Sequence, residues 1–134
     1  MTAPLPVDFP NLRTTPFRET SPVTPVYNCV GFAAGETVRW WWPVGYYWPP
    51  EVSRDETVAA FVAAFQTLGY DLCDNAMLEP GVEKVAIYVD ASGQPTHMAR
   101  QLTSGIWTSK LGSDVDIEHN ALEGLEGIAY GSAN

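Results

Sequence analysis

The chain has 134 residues, 46% hydrophobic and 17% charged, with seven basic against sixteen acidic side chains and a formal charge of −9. This length suits one core that buries roughly two-thirds of the unfolded surface, and this hydrophobic content excludes disorder as the default state. The acidic excess repels phosphate backbones and anionic head groups, which argues against nucleic acid and membrane surfaces as partners.

The segment Met1 to Phe9 has no basic run leading into an apolar one, and no stretch approaches the ~18 uninterrupted apolar residues of a membrane span. A cytoplasmic location is therefore expected, and there both cysteines, Cys29 and Cys73, are expected as free thiols. Residues 1–26 hold six prolines and no helical or strand period, so they read as an extended arm suited to lying over the domain or a neighbour. Residues 27–134 read as a single α+β domain.

Asn28 is a good N-cap, and Cys29, Phe32 and Ala33 follow at helical spacing, which predicts a helix from Cys29 ending before Pro43. The run WWWPVGYYWPP over 40–50 packs tryptophans and tyrosines between prolines and reads as an aromatic loop. Ser53 and Glu56 form an S-x-x-E capping box, and Val58, Phe61, Val62, Phe65 and Leu68 recur at three and four residues until Gly69. That pattern predicts an amphipathic helix.

Three strand-like segments follow, KVAIYVD (84–90), THMARQL (96–102) and IWTSKLG (106–112). Their connections ASGQP and TSG are turn sequences, so the three read as an antiparallel meander. A short helix near 120–125 is weakened by Gly124 and Gly127.

The chemistry concentrates on one thiol. A helix N-terminus favours the thiolate through its dipole and unsatisfied amides, and Cys29 stands there. A nucleophilic thiol also needs an imidazole within hydrogen-bond reach, which His97 on the middle strand would supply. His119, in DIEHN, reads as an exposed surface residue. No pair among Cys29, Cys73, His97 and His119 has the close spacing of zinc ligands, and neither metal nor cofactor is expected.

The order of a cysteine at a helix start and a histidine on a following antiparallel strand resembles the papain-like superfamily, including NlpC/P60 and transglutaminase-like enzymes. YNCVGFAAGETVRWWWP, THMARQLTSGIWTSKLG and DIEH also resemble a family of small uncharacterised bacterial proteins over about residues 27–131. The first resemblance implies a papain-like fold with a meander packed on the Cys-bearing helix and the amphipathic helix. It also implies Cys29 as nucleophile and His97 as general base and acid, with a polar group on the next strand orienting the ring.

At that third place IWTSKLG departs from the usual Asn, Asp, Glu or His and offers Ser109 or Lys110. A three-residue TSG loop sets Ser109 on the face of His97, whereas a two-residue turn sets Lys110 there. An oxyanion hole would use the Cys29 amide and the Asn28 side chain, and Trp41, Trp42 and Trp48 are candidates to line a substrate cleft.

Two functions follow as expectations. One is a cysteine hydrolase or acyltransferase acting on an amide or related acyl bond of a peptide or protein substrate. The other is a non-catalytic binding or assembly protein on the same scaffold, using the arm and the aromatic loop to contact a partner or a further copy.

Overall fold

The computed structural model describes residues 17–20, 26–73, 76–111, 116–122 and 132–133. Within them lie the strands β1 (Phe17–Glu19), β2 (Val85–Val89), β3 (Pro95–Gln101), β4 (Trp107–Lys110), β5 (Asp116–His119) and β6 (Ser132–Ala133). The helices are α1 (Cys29–Ala33) and α2 (Val58–Gln66). The strands form one antiparallel sheet in the order β1-β5-β4-β3-β2-β6, so β2 to β5 are a meander with a short edge strand added on each side. The protein is thus mixed α+β, an antiparallel sheet with two helices.

Each element has a local cause. Asn28 caps α1, its Oδ1 accepting from the Gly31 amide at 3.1 Å. The expected continuation toward Pro43 does not occur, because Gly35 takes φ +85° and turns the chain out of the helix. Gly35 N then donates to Phe32 O at 3.0 Å and Glu36 N to Gly31 O at 2.8 Å, a Schellman ending that satisfies the last carbonyls.

Helix α2 begins later than the Ser53–Glu56 box would place it. Its cap is Thr57, whose hydroxyl accepts from the Ala60 amide at 3.2 Å. Ser53 instead accepts from Asp55 N, and the Glu56 carboxylate accepts from Gln94 Nε2 on the β2–β3 turn.

The arm is not wholly outside the sheet, since Phe17–Glu19 pairs with Ile117–His119 as β1. Residues 1–16 and 21–25 lie outside the described residues, as do 123–125 of the helix expected over 120–125. DIEH, where no strand is expected from the sequence, is strand β5.

Residues opposite one another in a ladder share a face of the sheet, and neighbours along a strand alternate. The registers Ile87↔Met98, Val85↔Arg100, Arg100↔Thr108 and Lys110↔Asp116 define one face. Met98, Val85 and Ile87 on it meet Cys29 and Val30 of α1, Phe61 and Phe65 of α2, and Trp41 and Trp48 of the aromatic loop.

The registers Tyr88↔His97, Ala86↔Ala99, Gln101↔Trp107, Ser109↔Ile117 and Trp107↔His119 define the other face. There Ala86, Tyr88, Ala99, Trp107 and Ile117 form a second core, with Phe17 and Leu122 packed against it. Burial on both faces explains why all four residues of β4 are inaccessible. Each fully buried large apolar side chain, such as Phe61 or Ile117, contributes about 1.5–3 kcal/mol.

Candidate functional site

Two buried polar groups flank the sheet, one on each face. On the helix face, the segment Tyr27–Asn28–Cys29 meets the paired ends of β4 and β5. Tyr27 Oη donates to Asp116 Oδ2 at 2.6 Å, and Lys110 Nζ lies 5.2 Å from the centre of the Tyr27 ring. Lys110 is fully buried and Asp116 is 5% exposed.

Cys29, also 5% exposed, stands at the start of α1 in this group. Burial pushes its thiol up to about 11, outweighing the backbone hydrogen bonds at Met98 and the helix start and the Lys110 charge, which pull the other way. A helix start alone therefore does not activate this cysteine. Desolvation is the larger effect.

The opposite face holds His97, His119, Ser109 and Tyr88. His97 is fully buried and stacks edge-on against Tyr88 at 5.1 Å between ring centres. Its imidazole was expected to project toward the Cys-bearing helix. It is Met98, the next residue, that does so, and Cys29 and His97 consequently have the sheet between them. Burial, with the neighbouring His119 second, holds His97 well below the usual imidazole range.

Ser109 shares the face of His97 because the β3–β4 loop has three residues. Leu102 N donates to Ile106 O at 2.8 Å, and Gly105 turns the chain at φ +91°. Its hydroxyl nevertheless engages the other histidine, with Ser109 Oγ 2.8 Å from His119 Nε2.

His119 is fully buried, correcting its reading as a surface residue. Its Nδ1 donates to the Ala121 carbonyl at 3.0 Å, which fixes the neutral ring with Nε2 as acceptor for the Ser109 hydroxyl. Burial lowers its pKa and favours that neutral form. The clue in the sequence was the pairing of two short segments, SKL and DIEH: their antiparallel register brings Ser109 and His119 to one face.

The other expected site residues are held by packing and hydrogen bonds. Asn28 is 2% exposed. Its Oδ1 accepts from the amides of Gly31 and Trp41 at 3.1 and 3.0 Å, and its Nδ2 donates to Trp41 O at 2.7 Å, so the side chain is held between the cap of α1 and the aromatic loop. Trp41 and Trp48 are core residues whose indole N–H groups donate to Glu36 and to Ser53 O. Trp42 is half-buried edge-on against Phe61. Cys73 is an exposed thiol, and Cys29 a buried one, with no disulfide between them.

Residues 18–134 match the family model described as domain of unknown function DUF7689. The chain belongs to this family. The matched span takes in both polar groups and every described element except the first residue of β1. No curated protein matches the chain, and no solved structure does. Among the described residues no helix is long and apolar enough to cross a membrane.

Proposed function

We propose that this chain is a binding and assembly protein on a papain-like scaffold that does not use the thiol dyad of such enzymes. The observation that carries the reading is the sheet interposed between Cys29 and His97. A thiol whose proton is held up to about pH 11 and an imidazole on the far face cannot form the ion pair that thiol catalysis requires. The aromatic loop and the residues before it support it further, offering Val38, Val44 and Tyr46 to solvent at 72%, 58% and 55% exposure. Aromatic and aliphatic side chains grouped in this way are typical anchors of protein contacts.

A second reading, a cysteine hydrolase or acyltransferase, draws on the placement of Cys29 at a capped helix start beside the Lys110 cation. One experiment separates the two. Alkylation with iodoacetamide is followed at both cysteines by peptide mass spectrometry from pH 6 to 9, with exposed Cys73 as internal reference. The binding reading expects Cys29 to lag at least tenfold behind Cys73 throughout. Faster labelling of Cys29 than of Cys73 near neutrality overturns it in favour of thiol chemistry.

A further inference from the structure

The aromatic loop is built in two layers. Trp41, Trp42 and Trp48 pack on Phe61 and Phe65 of α2, while half-buried Trp40 pairs with exposed Tyr46, ring centres 5.6 Å apart and tilted by 36°. This pair is rigidly presented. Trp42 N donates to Tyr47 O at 3.0 Å, Tyr47 N to Trp40 O at 3.3 Å, and Arg54 Nη1 donates to the carbonyls of Pro43 and Tyr46 at 3.0 and 3.2 Å. Arg39 lies 3.5 Å over the Tyr47 ring.

On a chain of charge −9, residues 37–50 contain no acidic side chain. This is therefore a face on which a second acidic copy meets less repulsion than at the acidic stretches of the chain. It is also a rigid surface of tryptophan, tyrosine and valine, the kind on which proline-rich segments dock, because their extended geometry is pre-set and little entropy is lost on binding.

The chain carries such a segment. Residues 1–16, MTAPLPVDFPNLRTTP, hold four prolines, one acid and one base, and six further apolar side chains in Met1, Ala3, Leu5, Val7, Phe9 and Leu12. They precede β1, at the sheet edge farthest from β2. The aromatic loop lies toward the other side, over α2 and the side chains of Val85, Ile87 and Met98. Sixteen residues of this composition span up to ~50 Å. A domain of this size has a radius of gyration of only ~13 Å. The arm leaves from the edge remote from the loop, and its reach extends well past its own domain.

We infer that residues 1–16 of one copy dock on the Trp40–Tyr46 face of a second copy, and reciprocally, so that the chain assembles by exchanging its arms. This rests on the binding reading above and names its partner. Nothing covalent is involved: proline rings and the apolar side chains stack on the accessible part of the Trp40 indole and on the exposed Tyr46 phenol, and the near-neutral charge of the arm suits the acid-free face.

The test is sedimentation equilibrium of the full chain from sub-micromolar to millimolar concentration, beside Trp40→Ala/Tyr46→Ala and Pro4→Ser/Pro6→Ser/Pro10→Ser variants. Near-ultraviolet circular dichroism checks that each is folded. Self-association of the native chain, weakened at least tenfold in both variants and competed by a synthetic peptide of residues 1–16, is the expected result. A chain that stays monomeric throughout, an association that either folded variant leaves unchanged, or a monomer whose arm-deleted form alone binds the peptide overturns the exchange. A monomer in which Cys29 also alkylates slowly overturns arm exchange while leaving the binding reading in place. A monomer with fast Cys29 overturns both.

Discussion

Ser109 and His119 are joined by a hydrogen bond of 2.8 Å between Oγ and Nε2, buried on the face of the sheet turned away from both helices. The serine that sequence reasoning assigned to His97 thus orients the other histidine, and the bond ties β4 to β5 beyond what the backbone ladder provides. Ser109→Ala leaves the Nε2 acceptor without this donor in a water-free setting. The expected loss is about 1–3 kcal/mol of unfolding free energy, read from urea denaturation at pH 7.5. A variant as stable as the native chain would show that the bond contributes nothing net.

Acid should destabilise the fold through both histidines. Their folded pKa values lie below the ordinary 6.5 because burial disfavours the imidazolium. The unfolded chain therefore binds more protons below 6.5. The stability they contribute is complete above that pH and is lost as pH falls through it, at up to about 1.4 kcal/mol per pH unit per histidine. Denaturation midpoints from pH 7.5 to 5 should fall, and His119→Asn should flatten the slope. A flat native profile over this interval would contradict the burial of both rings as neutral species.

Base should act through Cys29. Its thiol ionises at about 11 in the folded chain against 9.0 when unperturbed. The stability this proton holds is present below pH 9 and declines above it, by roughly 2–3 kcal/mol at pH 11. Cys29→Ala removes this dependence. Stability measured from pH 7 to 10.5 should therefore drop more steeply for the native chain than for the variant, and parallel curves would mean that the thiol is not desolvated.

Gly31 offers a change of reversed sign. In an exposed helix interior Gly→Ala stabilises by about 0.5–1 kcal/mol. Here a Cβ would stand 2.9 Å from the Arg39 carbonyl oxygen and 3.1 Å from Trp41 Cδ1, so α1 and the aromatic loop would have to separate. Gly31→Ala is expected to cost about 1–3 kcal/mol, with a change in near-ultraviolet dichroism as Trp41 shifts. An increase in stability would show that the loop yields without penalty.

Much of this architecture was readable in advance. Asn28 announced the start of α1, the spacing from Val58 to Phe65 announced α2, and ASGQP and TSG announced two hairpins. β1 and β5 were not legible because FRE and DIEH are three and four residues long, carry charge, and show no run of β-branched or aromatic side chains. The face of His97 was not legible for a different reason. Alternation reveals which side of a strand is inward only when the other side is wet, and β3 buries His97, Met98 and Ala99 in succession. The order of residues put a cysteine and a histidine on adjoining elements. Only the three-dimensional parity of the strand decides whether they meet, and that parity depends on which face the helices choose.

Strand β1 has a bearing on how the molecule comes into being. Its partner β5 lies almost at the other end of the chain, and Arg18 pairs with Glu118 across a separation of 100 residues. During synthesis, then, β1 leaves the ribosome about 100 residues before β5 and must wait for it before it finds its place. The meander from β2 to β4 can close hairpin by hairpin, whereas this edge pays the entropy of a long loop and forms late. A nascent chain halted before residue 116 would carry its leading segment unpaired.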